Sequence, residues 1–161
     1  MQTVYIETTI PSFYHTRRKD AKSIARQKWT REWWTQFQPS CELFSSAATI
    51  LELEKGSTEE TEKRLSLLHG LELLDIIDEV ERIAGIYIDR LVMPDDPGGD
   101  ALHLAVSSYY GLDVLLTWNC RHLANPHKMG HIQRVNDELG LATPILTTPL
   151  NFLSGGEDNE R

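Results

Sequence analysis

The chain has 161 residues, enough for one domain with a sizeable core, and its 40% hydrophobic and 25% charged content is ordinary for a globular protein. A net charge of −8 excludes a surface that coats nucleic acid through general positive charge, and apolar runs of only a few residues exclude a transmembrane helix. Cys41 and Cys120 have no metal-site spacing and suggest no disulfide framework. With a start, M-Q-T-V-Y-I-E, that lacks the basic and long apolar parts of a signal peptide, they lead us to expect a cytoplasmic protein with reduced thiols.

Val4-Tyr5-Ile6 is a short β-prone segment, and Glu7-Thr8-Thr9 followed by Ile10-Pro11 suits a strand that opens into a turn and helix. Asp20 to Phe37 is predicted helical, with Asp20 as its cap and Ala25, Trp29, Trp33 and Phe37 recurring every fourth residue. Pro39 stops it. Cys41 to Ser45 reads as a second strand, and Ala47 to Lys55 as a helix that Gly56 ends in a left-handed cap. Ser57 or Thr58 starts a further helix, whose early acids suit its dipole and which runs to His69-Gly70. Leu71 to Ile76 is a third strand, Glu79 to Leu91 a helix, and Met93 to Gly99 a loop.

Asp100 to Tyr110 is a mostly apolar helix of the kind buried in a layered domain, ended by Gly111. Asp113 to Thr117 is the clearest strand. Lys128 to Leu139 is a helix closed by Gly140, Pro144 to Thr147 an edge strand, and Ser154 to Arg161 a polar segment expected to be disordered. Strands alternating with helices imply a mostly parallel sheet covered on both faces, in one domain over residues 1–150 with a tail over 151–161.

In open parallel sheets, ligands bind at the carboxyl ends of the strands. Glu7 and Asn119 each lie just beyond a predicted strand, Asp100 opens the helix before the Asn119 strand, and Glu52 lies in the helix after the second strand. Each has an ordinary structural role when taken singly: Asp100 as an N-cap, Glu52 as a solvated helical acid, Glu7 as a polar strand end, Asn119 as a turn former. Their joint placement favours one cleft. Clustered carboxylates in such a cleft need a cation or protons, and hard oxygen ligands suit Mg²⁺ or Mn²⁺ over zinc.

Other motifs carry less. Arg17, Arg18, Lys19, Lys22, Arg26, Lys28 and Arg31 lie close together and form either a local basic patch or a solvated helix face. Trp29, Trp33 and Trp34 are candidates for base stacking, although the spacing of Trp29 and Trp33 better suits core or dimer packing. His103 reads as a satisfied core histidine, and His122 as a support for the loop after Asn119. His127 and His131 lack the glutamate of a zinc protease, and neither a glycine-rich phosphate loop nor a serine nucleophile elbow is present.

The segments Val4-Tyr5-Ile6-Glu7-Thr8-Thr9, Leu51-Glu52-Leu53-Glu54-Lys55-Gly56, Gly99-Asp100-Ala101-Leu102-His103-Leu104-Ala105 and Leu115-Leu116-Thr117-Trp118-Asn119 together resemble the PIN-domain family, nearest to VapC-type toxin ribonucleases, over roughly Val4 to Thr148. The resemblance implies a three-layer α/β/α fold and metal-dependent cleavage of RNA that leaves a 5′-phosphate and a 3′-hydroxyl. It also implies an antitoxin partner for many bacterial members, and makes a homodimer plausible. By position, the family's four acids fall on Glu7, Glu52, Asp100 and Asn119, with Thr117 as the small polar residue whose hydroxyl orients Asn119 or Glu7. Glu7 stands where aspartate is usual, and Asn119 offers a neutral amide where an acid is common. The expectation is therefore Mg²⁺ or Mn²⁺ held by Glu7, Glu52, Asp100 and Asn119, with Arg17, Arg18 and Lys22 on the RNA backbone. The alternative is a PIN-like module without catalysis that binds RNA or a partner protein. An acidic phosphotransfer receiver fits less well, because only Glu7 follows the first strand.

Overall fold

The computed structural model describes residues 1–56, 59–96 and 99–159, with the side chains of 156–159 outside the description. Among these residues five strands form one parallel sheet in the order β3-β2-β1-β4-β5: β1 (Gln2–Ile6), β2 (Cys41–Ser46), β3 (Glu72–Leu74), β4 (Val114–Leu116) and β5 (Ile145–Thr147). The central strands are buried on both faces, as a doubly covered parallel sheet requires. Tyr5, Leu115 and Leu146 face a core shared with α5 (Asp78–Asp89), α6 (Asp100–Tyr109) and α7 (Met129–Leu139). Val4, Ile6, Leu43, Val114 and Leu116 face the other, with α1 (Thr9–Tyr14), α2 (Ala21–Phe37), α3 (Ala47–Glu54), α4 (Glu59–Leu67) and α8 (Pro149–Asn159). The architecture is three-layer α/β/α.

Strand order reverses direction between β1 and β4, since the chain winds outward from β1 to β3 and then returns to add β4 and β5 on the other side. A crevice opens at the carboxyl ends of the strands at such a point. Glu7 follows β1 directly, and Thr117 to Asn119 follow β4.

Several local expectations need correction. Asp20 does cap α2, accepting from Ser23 N at 3.1 Å. Asp100 caps nothing: Gly99 is the N-cap of α6, no side chain bonds there, and Asp100 is the first helical residue. Gly56 does not adopt the left-handed conformation. Lys55 already ends α3 in right-handed geometry, and only Gly70, Gly111 and Gly140 among the described glycines have positive φ. Ser57 and Thr58 lie outside the described residues. Helix α8 continues to Asn159, through much of the segment expected to be a disordered tail.

The aromatic face of α2 is turned inward. Trp33 is fully buried and meets Phe152 of α8 edge-on at 5.6 Å, and Phe37 meets the same ring at 4.7 Å. Trp33 is therefore unavailable for base stacking. Trp29 is half-buried with the Lys28 Nζ 5.3 Å from its ring, and Trp34 sits edge-on to Tyr14. Cys41 is buried, Cys120 exposed, and both are free thiols. No helix among the described residues is long and apolar enough to cross a membrane.

Candidate functional site

Glu7 leaves β1 and folds back over the start of α1. Its Oε1 accepts from Thr9 N at 2.9 Å, Thr9 Oγ1 at 2.5 Å and Thr117 Oγ1 at 2.8 Å. The glutamate thus spans from the end of β1 to the end of β4 and takes up the first amide of α1, where Thr8 provides no side-chain cap. Thr117 does two jobs, because its hydroxyl also accepts from Asn119 N at 2.9 Å. Thr9 ties the same corner from the other side, its Oγ1 accepting from Trp118 N at 2.8 Å.

Asn119 in turn holds Asp100. Its Nδ2 donates to both Asp100 oxygens at 3.0 Å, and its Oδ1 accepts from the backbone N of His122 at 3.0 Å. This amide has one sensible orientation, since the flipped form would set an oxygen against a carboxylate and an NH₂ against an N–H. His122 supports the loop as expected, through its backbone. The glycine before Asp100 has a steric reason: a Cβ on Gly99 would lie 2.6 Å from Asp96 Oδ2 and 3.2 Å from the Asp96 carbonyl oxygen.

Glu52 reaches the site from α3. Its Oε1 accepts from Thr8 Oγ1 at 2.9 Å and makes a short bond with Nε2 of His103. His103 is the residue that sequence reasoning placed in the core and left out of the site. It is fully buried, with Tyr5 Oη 2.8 Å from Nδ1, so it is indeed satisfied. Yet it lies one turn after Asp100 on α6, on the same helix face, and its charge bears on Glu7, Glu52 and Asp100 alike. A missed signal was available in the spacing Asp100-x-x-His103.

The electrostatics follow from burial. Glu7 is 3% exposed, and loss of water raises its pKa despite the opposing effects of His103, Thr9 and Thr117. Burial likewise raises Asp100, against His103, His122 and Asn119, with the Glu52 charge adding to the rise. Burial works on Glu52 in the same sense, but the bonds from His103 and Thr8 outweigh it and its pKa is lowered. For His103, burial opposes the charged form, while Tyr5, Glu52 and Glu7 outweigh it and raise the pKa well above the ordinary value.

The donor set suits a hard divalent cation: three carboxylates and an amide from four segments, with no thiol. In both glutamates the protein donors gather on Oε1, and no described residue bonds Oε2. An oxygen on each is thus free of partners among the described residues. Among the described residues no three His, Cys, Asp or Glu side chains stand as a ready coordination shell.

Neither a family model nor a curated protein sequence matches the chain. Solved structures do. The chain is similar to VapBC2 from Rickettsia felis bound to a DNA fragment from their promoter, at 13% identity and a TM-score of 0.55, over 74% of this chain and 90% of that one. It is also similar to VapBC-1 from nontypeable Haemophilus influenzae, at 18% identity and a TM-score of 0.53, over 75% and 90%. The chain has a VapC-like PIN fold. At these identities the likeness is one of fold, and the site must be argued from its own residues.

Arg17 and Arg18 follow the far end of α1. Arg17 ion-pairs with Glu59 and Glu60 of α4. Arg18 instead lines a hollow of about 260 Å³ with Ser12, Phe13, Thr16 and Arg64. Arg64 has a buried Nε without a hydrogen-bond partner. Ser12 bonds back to Thr8 O at 2.9 Å, so this hollow is one helical turn from the threonine that touches Glu52.

Proposed function

We propose that the chain is a Mg²⁺- or Mn²⁺-dependent endoribonuclease, acting as the toxin of a toxin–antitoxin pair. The observation that carries this reading is the continuous set of hydrogen bonds joining Glu7, Thr117, Asn119 and Asp100 at the crevice between β1 and β4, with Glu52 bonded to Thr8, the residue next to Glu7 in the chain. Glu7, Glu52 and Asp100 are the proposed metal-holding side chains. Asn119, expected from sequence to complete the shell, is assigned instead to orienting Asp100, because its nitrogen faces that carboxylate and its oxygen is taken by His122. A divalent ion at these oxygens would supply an acidified water and offset charge on the scissile phosphate. Thr117 holds Glu7 and Asn119 in register across the strand ends.

RNA is the proposed substrate, and its backbone is assigned to the cations near the mouth. Arg18, Lys22 and Arg64 have no ion pair to a described residue, whereas Arg17 would have to exchange its contact with exposed Glu59, a small cost, and its contact with buried Glu60, a larger one. Each phosphate contact adds to the salt sensitivity of binding. An antitoxin protein and a second copy of the chain are the other proposed partners. The VapBC structures of like fold support the former. The buried rings of α2 are occupied by α8, so a dimer face is sought elsewhere.

The test compares RNA cleavage by the parent, Asp100→Ala and Glu52→Ala, with Mn²⁺ binding measured on each. Losses well over about 100-fold in both variants are expected, beyond those typical of outer-shell changes. Equal activity in all three would mean a contaminating nuclease. The neutral Asn119 and the absence of a ready coordination shell among the described residues favour a second reading, a non-catalytic PIN-like module that binds RNA or a partner protein. Parent protein that takes up no Mg²⁺ or Mn²⁺ would decide for it.

A further inference from the structure

We infer that His103 is the positioning residue for Glu52, a buried imidazole that holds one carboxylate oxygen so that the other is presented to the cleft. The inference rests on the metal-site reading above and adds a residue to it.

The geometry is a closed loop through three elements. Tyr5 Oη, on β1, lies 2.7 Å from Ser46 Oγ and 2.8 Å from His103 Nδ1. Ser46 is the N-cap of α3, accepting from Ala48 N at 3.2 Å, and α3 carries Glu52. His103 Nε2 closes the loop on Glu52 Oε1. The tyrosine hydroxyl therefore grips α3 at its start and, through the imidazole, near its end. Thr49 Oγ1, 3.4 Å from the same hydroxyl, reinforces the first grip.

A helix held at two points leaves its glutamate few rotamers. Glu52 is half-buried, with 27% of its side chain exposed, so the hydrogen bonds to its carboxylate matter for where it points. Both of those bonds fall on Oε1, from Thr8 and His103. Thr8 donates from a short, rotatable hydroxyl. His103 is rigid, fully enclosed and backed by Tyr5, and it is the stronger constraint. Hydrogen-bonded partners of ligating carboxylates act on metal affinity by this route, typically by about 10- to 100-fold.

Two substitutions separate positioning from bulk. His103→Gln carries an amide nitrogen to about the reach of Nε2, while His103→Asn ends near Nδ1 and leaves Glu52 without a partner from α6. His103→Gln gives up the contact with Tyr5 and His103→Asn the one with Glu52, so each loses one buried hydrogen bond, both lower thermal stability, and a merely structural role would move them alike. The readout is the affinity for Mn²⁺ alone, followed by electron paramagnetic resonance of the free ion, together with the Mn²⁺ dependence of RNA cleavage. We expect His103→Asn to weaken Mn²⁺ binding by about tenfold and to raise the half-saturating Mn²⁺ concentration in parallel, with kcat at saturating Mn²⁺ largely kept. His103→Gln should stay within about threefold of the parent. Equal Mn²⁺ affinity in parent and His103→Asn overturns the inference and leaves the metal reading standing. A parent that binds no Mn²⁺ overturns both. Should His103→Asn fail to fold, Tyr5→Phe loosens the same imidazole without emptying its place; a weakening of a few-fold is then expected, and unchanged affinity overturns the assignment.

Discussion

Two polar networks, one within the core and one at the strand ends, behave oppositely. Between α5, α6 and α7, Tyr87 Oη donates to Asn136 Oδ1 at 2.5 Å, and Asn136 Nδ2 donates to Ser108 Oγ and Thr143 Oγ1, each at 3.1 Å. Every polar atom of that amide is used and no charge is present. At the carboxyl ends of β1 and β4, the second network contains three carboxylates and an imidazole, and both glutamates keep an oxygen without a partner among the described residues. A satisfied neutral network rigidifies a fold. A charged one, in which burial raises the pKa of Glu7 and Asp100, costs stability that a bound ligand can offset. On the proposed reading, the contrast is between a cluster complete in itself and one that a bound ion completes.

The largest expected effect breaks the neutral network. Asn136→Ala strands the Tyr87 hydroxyl and removes the donor to Ser108 and Thr143, and should destabilise the protein by about 4 kcal/mol, as for the loss of a buried hydrogen-bond network. Chemical denaturation measures this. Mn²⁺ affinity of the folded protein should be unchanged, and a large fall in it would show that the two networks are not separate. Next in size is an alkaline transition. Burial pushes the Tyr87 pKa up to about 12 from 10.0, against its bonds to Ser108 and Asn136. The folded state favours the neutral phenol, so this contribution is complete below pH 10 and is lost as pH rises toward 12. The loss amounts to about 3 kcal/mol at about 1.4 kcal/mol per unit. Tyr87→Phe, compared with the parent between pH 9 and 12, should abolish that part of the decline.

The fold was legible where burial patterning is strong. Val4 to Ile6, Cys41 to Ser45 and Asp113 to Thr117 are short apolar segments next to turn signals, and the helix from Asp20 announces itself by its cap and its aromatic spacing. Loop chemistry was less so: Gly56 follows a helix already ended by Lys55, and the cap position, the ordinary role for Asp100 taken singly, falls to Gly99 instead. In the site, position relative to strand ends pointed to Glu7, Glu52, Asp100 and Asn119. What sequence did not reveal is how they bond. His103 and Glu52 are 51 residues apart, and only the packing of α6 against α3 turns a core histidine into a partner of that acid. The direction of the Asn119 amide depends on a backbone N–H three residues on. The hollow with Arg64 required α4 to pack beside α1, which no local pattern encodes.

The smallest stability effect has the opposite sign and is the sharpest test of the contrast. Glu7→Gln keeps the shape and an oxygen acceptor for Thr9 and Thr117 but removes a buried charge. Because burial raises the folded-state pKa of Glu7 above its ordinary 4.5, the parent is favoured by this group below that value and loses the contribution as pH rises through the folded-state pKa. The variant has no such loss. Its advantage in metal-free stability should therefore be absent near pH 4 and reach about 1–2 kcal/mol at pH 7, a typical gain when a functional site is relieved of strain. Added Mn²⁺ should reverse the order, stabilising the parent by mass action while leaving the variant where it was. Denaturant melts at pH 4 and pH 7, with chelator and with Mn²⁺, measure all four corners. If the variant is less stable than the parent at pH 7 without metal, Glu7 is held by its threonines as a structural cap, and the charged network is as self-sufficient as the neutral one.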